Sequence, residues 1–147
     1  MAYEIKVTRR VEFSDTDMAG IVHYANFFRY MEVAEHEFFR SLGFSIVTSQ
    51  VDPPLGWPRV HAECDYKLPL TFEDEVEIHL LIVAKKSKSL SYSFRFRKLN
   101  ASPALDVARG LLTVVCVTYN QGKMAAATIP QIIADKIDVA PPESLQL

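Results

Sequence analysis

From Tyr3 the chain alternates. Tyr3, Ile5, Val7, Val11 and Phe13 are apolar, and Glu4, Lys6, Thr8, Arg10 and Glu12 between them are polar. This predicts a half-buried first strand that runs to Phe13 and carries Arg9 as an interruption of its apolar face. The period then lengthens. Between about Tyr24 and Leu42, Phe27, Met31, Ala34, Phe38 and Leu42 recur at helical spacing, and Gly43 follows as a C-terminal cap. Phe28, Tyr30, Val33 and Phe39 widen the stripe, leaving Arg29, Glu32, Glu35, His36 and Arg40 as a narrow polar edge. A helix this apolar must be wrapped on most sides.

The rest of the chain predicts the wrapping. Residues 44–59 contain Pro53, Pro54, Gly56 and Pro58 and read as a connecting loop. Val60, Ala62, Cys64 and Tyr66 alternate with polar residues, as do Val76, Ile78, Leu80 and Ile82, and then Leu90, Tyr92, Phe94 and Phe96. From Leu105 to Tyr119 both faces are largely apolar, the pattern of a central strand. Asn120-Gln121-Gly122-Lys123 reads as a turn, and residues 129–137 as a short closing helix.

One strand, one buried helix and four further strands predict an α+β fold. A five-stranded antiparallel sheet curled around one long central helix buries both apolar faces together, which is the hot-dog architecture. Such a sheet leaves long edges, and pairing edges between copies is the expected remedy, so a homo-oligomer follows. The 147 residues make one domain, read as residues 1–138 with 139–147 as a flexible tail. A net charge of -2 gives the molecule no general attraction to nucleic acid or anionic membrane. Apolar runs such as residues 80–84 are too short to span a bilayer, and residues 1–6 lack the pattern of a signal peptide. Cys64 and Cys116 lie far apart and read as buried thiols of a reducing compartment, so a cytoplasmic location is expected.

The chemistry concentrates between the first strand and the helix. Asp15, Asp17, Gly20, His23 and Tyr24 sit just before the helix starts. A helix N-terminus offers free N–H groups and a positive partial charge, which can polarise a carbonyl, and a nearby Asp can attack that carbonyl or activate water against it. On spacing alone, Asp15 or Asp17 reads equally as a helix cap. The chain has no Gly-x-Ser-x-Gly elbow, no Gly-rich nucleotide loop and no close His ligand spacing, so no metal and no separate cofactor is expected. A second cluster is the basic turn Lys85-Lys86-Ser87-Lys88-Ser89, followed by Arg95, Arg97 and Lys98. It reads as a solvated hairpin or as a phosphate-binding patch. Phosphate contacts together with a carboxylate at a helix start would suit a coenzyme A thioester, if the fold brings the two together.

The segment from Glu12 to Phe27, with Asp15-Thr16-Asp17-Met18-Ala19-Gly20-Ile21-Val22 at its centre, resembles the opening motif of the 4-hydroxybenzoyl-CoA thioesterase family of hot-dog proteins. The resemblance continues through residues 29–32, through Lys88-Ser89-Leu90, and to Gly122-Lys123 and Ile129-Pro130. It implies an acyl-CoA thioesterase, a dimer or dimer of dimers (a homotetramer), with sites at subunit interfaces. Carried over by position, it puts the catalytic aspartate on Asp17, the turn glycine on Gly20 and the carbonyl-polarising N–H on Tyr24. Lys88 and Ser89, with Lys86 and His23, take the substrate-binding positions. One departure is visible: related bacterial thioesterases read Val-Tyr-His where this chain reads Val22-His23-Tyr24, so their catalytic histidine falls on Tyr24.

The expected function is therefore hydrolysis of a small aromatic or short-to-medium acyl-CoA, with coenzyme A as part of the substrate. The alternative is a non-catalytic hot-dog protein that binds acyl-CoA as sensor or carrier. A hydratase on the same fold is a weaker third reading.

Overall fold

A computed structural model describes residues 2–47 and 51–145. Residues 48–50 of the expected loop, residue 1 and residues 146–147 of the expected tail lie outside it. Strand β1 (Glu4–Arg10) is followed by a 3-10 turn (Phe13–Asp15), helix α1 (Asn26–Ser41) and strands β2 (Arg59–Tyr66), β3 (Glu75–Lys85), β4 (Ser89–Lys98) and β5 (Leu105–Val115). A ribbon of β6 (Val117–Asn120) and β7 (Lys123–Ala126), then a short helix α2 (Gln131–Ala134), complete the order.

The five long strands form one antiparallel sheet, as expected, and their order is β1-β3-β4-β5-β2. Its concave face is made by Ile78, Leu80 and Ile82 of β3, Tyr92, Phe94 and Phe96 of β4, and Leu112 and Val114 of β5. Against it lie Phe27, Met31, Ala34 and Phe38 of α1, all essentially buried. Helix and sheet approach closely at Gly110, where a Cβ would stand 2.1 Å from Met31 Cε. Glycine leaves room there for the methionine, whose side-chain end would have to move to admit a Cβ. The helix ends where predicted: Gly43 N–H bonds to Arg40 O and Phe44 N–H to Phe39 O.

Several expectations are corrected. β1 ends at Arg10, and Phe13 stands 74% exposed in the 3-10 turn rather than on the buried face. β2 is an edge strand with a bulge between Arg59 and His61, and Val60, Ala62 and Tyr66 are exposed, so of its apolar alternation only Cys64 packs against the core cluster. The strand predicted from Leu105 to Tyr119 breaks at Cys116, whose N–H bonds to Lys88 O as the chain turns into β6. The segment expected as a flexible tail is packed through Leu145: Ala140 is buried, its N–H bonds to Ile82 O, and residues 142–145 form a 3-10 turn.

Glu35 is the largest departure on the helix. Placed by the pattern on the polar edge, it is fully buried. Arg59 explains this: its Nη1 donates to Glu35 Oε2 at 3.1 Å and to Trp57 O at 3.0 Å, and its Nη2 also reaches Glu35. A buried carboxylate is tolerable when a guanidinium meets it in this fork-to-fork way. Among the described residues no helix is long and apolar enough to cross a membrane.

Candidate active site at the start of helix α1

The residues before α1 fold back on themselves. Thr16 and Val22 form an antiparallel bridge, Asp17 N–H bonds to Ile21 O, and Gly20 N–H bonds to Asp17 O. Gly20 has φ of +82°, a left-handed conformation that closes this turn at little steric cost only for glycine. Asp17 Oδ1 accepts the Ala19 N–H at 2.8 Å, and Oδ2 has no partner among the described residues.

Neither aspartate caps α1. The helix N-cap is Ala25, and its N–H donates to His23 Nδ1 at 3.1 Å. Among the described residues no side chain caps α1, and the His23 ring, stacked on Tyr24 with centroids 4.5 Å apart, instead holds the N–H of the N-cap residue itself. An Nδ1 that accepts places the ring proton of neutral His23 on Nε2.

The peptide between His23 and Tyr24 is fixed at one end. His23 C=O accepts Asn26 N–H at 2.9 Å and so points into the helix. In a trans peptide the N–H points opposite to the C=O, so Tyr24 N–H is directed out of the helix N-terminus. It donates to no acceptor among the described residues. Tyr24 C=O accepts the Tyr66 hydroxyl at 2.9 Å, which ties the helix start to the edge strand β2. Partial burial, and then the neighbouring Cys64 thiol, push Tyr66 up to about 12, so its hydroxyl remains a donor at neutral pH.

Asp17 and Tyr24 line one cavity of about 420 Å³, closed by Ile21, Val22, Phe27, Tyr66, Leu68 and Leu70 among others. Gly20 and His23 stand outside its lining. Phe27 forms its inner wall, meeting Tyr66 and Phe96 edge to face, each at 5.2 Å between centroids. The arrangement is a carboxylate and a free backbone N–H at the mouth of an apolar recess, which can hold a carbonyl and attack it. The exposed side chains Phe13, Met18 and Phe72 surround the same turn.

Asp15 does not share this cavity. Its carboxylate faces the other side of the turn and lines a polar recess of about 340 Å³ with Arg9, Arg29, Tyr30 and His36.

The basic turn is elsewhere. Phe96 packs on Phe27 at the start of the helix, and Ser89 lies seven residues away at the far end of β4, about 23 Å at strand rise. One copy of the chain therefore does not bring Lys86, Lys88 and Ser89 to Asp17 and Tyr24. Lys85 is committed to structure, since its Nζ donates to Ala134 O and Ile137 O at the end of α2. Lys86 and Lys88 are exposed on a braced turn, where Lys86 N–H bonds to Ser89 O and Ile129 N–H to Ser87 O. Among the described residues no three His, Cys, Asp or Glu side chains converge as a metal site.

Sequence reasoning missed Tyr66, Tyr30 and Asn26. Tyr66 comes from a distant strand, and nothing near it in sequence marks its hydroxyl for the helix start. Tyr30 and Asn26 carry a weak signal, because they lie one turn apart on the helix just after the acidic segment.

A family model for the thioesterase-like superfamily matches residues 11–137. A relative from Aquifex aeolicus (strain VF5) carrying an esterase name is 47% identical over 72 residues, 49% of this chain and 56% of that protein. A protein of Parasynechococcus marenigrum (strain WH8102), named 1,4-dihydroxy-2-naphthoyl-CoA hydrolase, is 30% identical over 83 residues, 52% of this chain and 55% of that protein. The chain thus spans about half the length of these curated relatives. Among solved structures, one described as a gentisyl-coenzyme A thioesterase is 35% identical with a TM-score of 0.76, over 88% of this chain and 99% of that one.

Proposed function

The chain belongs to the thioesterase-like superfamily, and from that premise we propose that it hydrolyses an acyl-CoA thioester to the free acid and coenzyme A. One observation carries the reading: Asp17 and Tyr24, whose N–H is free and directed outward, line the same apolar cavity. The thioester oxygen takes the Tyr24 N–H, which stabilises negative charge as the carbonyl becomes tetrahedral. Asp17 then acts in one of two ways. As nucleophile, its free Oδ2 attacks the carbonyl carbon, coenzyme A leaves as thiolate, and water opens the resulting anhydride. As general base, it takes a proton from a water that attacks instead. Gly20 serves both routes by closing the turn that presents Asp17.

A recess walled by Phe27, Ile21, Leu70 and Tyr66 suits a small aromatic or short-to-medium acyl group. The relatives named for dihydroxynaphthoyl-CoA and gentisyl-CoA favour the aromatic end of that range. The coenzyme A phosphates meet Lys86, Lys88 and Ser89 of a second copy, because one copy holds them too far from Asp17. The exposed edge strand β2 supports pairing between copies, as a dimer or dimer of dimers.

The test is a panel of aryl- and alkyl-CoA thioesters assayed for release of free thiol. Turnover of at least one aromatic thioester, well above the uncatalysed rate, is the expected outcome. Tight binding of acyl-CoA with no thiol released from any member overturns the reading in favour of a sensor or carrier.

A further inference from the structure

Asp15 accepts four hydrogen bonds around the turn that holds the candidate site, and its own N–H donates to Glu12 O. Its Oδ2 accepts the Glu12 N–H at 2.9 Å and the Tyr30 hydroxyl at 3.0 Å. Its carbonyl accepts the His23 N–H at 2.9 Å and Asn26 Nδ2 at 2.8 Å. Three of the four partners lie at or in the beginning of α1, so a single residue of the preceding segment is pinned to the helix from both its side chain and its backbone. Asp17 follows two residues later, and Tyr24 lies between His23 and Asn26. Asp15 thus ties the segment that carries Asp17 to the helix start that carries the Tyr24 N–H, alongside the Thr16–Val22 bridge and the Asp17–Ile21 bond.

Tyr30 is the buried anchor of this arrangement. Only 4% of it is exposed, and its ring meets Phe27, a wall of the cavity, at 6.1 Å between centroids. Burial, and then the Asp15 carboxylate, raise its pKa well above the usual tyrosine range, so the hydroxyl stays a donor throughout the working pH range. A buried hydroxyl bonded to a carboxylate is a directional, charge-assisted contact.

We propose that Asp15, held by the Tyr30 hydroxyl, is a positioning residue for thioester hydrolysis: it fixes the separation of Asp17 and the Tyr24 N–H without touching substrate. The proposal rests on the thioesterase reading. Its signature is a fall in turnover with little change in substrate affinity, since the walls of the acyl recess are left in place. Geometry matters steeply here, because a displacement of about 1 Å between reacting groups can cost a hundredfold in rate.

The experiment measures kcat and KM, with the best thioester of the panel, for Tyr30→Phe, Asp15→Ala, the double variant and Asp15→Asn, well below each Tm. Tyr30→Phe and Asp15→Ala should each lower kcat roughly tenfold with KM changed less than about twofold. The double variant should be little worse than Asp15→Ala, because both changes break one contact. Asp15→Asn should retain most turnover, since its carboxamide oxygen can still accept from Tyr30. An active wild type whose folded Tyr30→Phe variant keeps kcat within about twofold overturns the positioning role alone. Fully additive losses in the double variant also overturn it. A wild type that hydrolyses no acyl-CoA overturns the thioesterase reading, and this role with it.

Discussion

Glu35, in the middle of α1, and Arg59, the first residue of β2, form an ion pair in which the carboxylate has no exposed surface. The pair clamps the helix to the edge of the sheet. Glu35→Ala leaves the guanidinium without its main partner, and the expected loss is about 3 kcal/mol of stability. Urea denaturation measures it. Replacing both residues with methionine should recover most of the loss, because the burial of two charges is then avoided. A single variant within about 0.5 kcal/mol of wild type would show that the pair adds nothing to the fold.

This pair also marks where the sequence stops being informative. The curled sheet and its helix were legible because the apolar period changes cleanly from two to 3.6 and back, and because Gly43 closes the helix as glycine usually does. Glu35 was misread because a helical pattern places a residue on a face but cannot say that an arginine from 24 residues away will meet it there. Val60 and Tyr66 of β2 were misread for a related reason. Alternation shows that one face is apolar, while what covers that face depends on neighbours, and β2 is at the edge.

The candidate site was half legible. Asp17, Gly20 and Tyr24 stood out as a local motif, and the structure gathers them at one turn. Tyr66 and the carbonyl it holds are 42 residues apart, and only tertiary structure joins them. The contact of His23 with the Ala25 N–H was hidden too, since two Asp residues, a commoner cap, were present and neither caps the helix.

Cys64 should be an unreactive thiol. Its environment pushes it up to about 11, chiefly through burial. Raising a thiol's pKa favours the protonated form, so the nucleophilic thiolate is scarce at neutral pH and grows as pH approaches 11. Iodoacetamide labelling of Cys64 at pH 8 should run about a hundredfold slower than that of an exposed thiol. Labelling at the rate of a free cysteine would contradict the burial argument.

The lysine turn and the Asp17 cavity lie at opposite ends of one copy, so activity should require association. Sedimentation at micromolar concentration should show a dimer or tetramer, and specific activity should fall when the protein is diluted below its dissociation constant. Lys88→Ala should raise KM about fivefold, equivalent to about 1 kcal/mol for one exposed charge-assisted contact, and leave kcat nearly unchanged. A stable monomer that hydrolyses its substrate at full rate would contradict the shared site.

The central claim is that the Asp17 carboxylate performs the chemistry. Asp17→Asn keeps the side-chain shape and can still accept the Ala19 N–H, so the turn should survive, while the charge needed for attack or proton abstraction is lost. Single-turnover hydrolysis of the best thioester is the most direct measurement, with binding followed in parallel. The account predicts a rate reduced about a hundredfold or more, with the thioester still bound. An Asp17→Asn protein that binds and hydrolyses its thioester at close to the wild-type rate would contradict it.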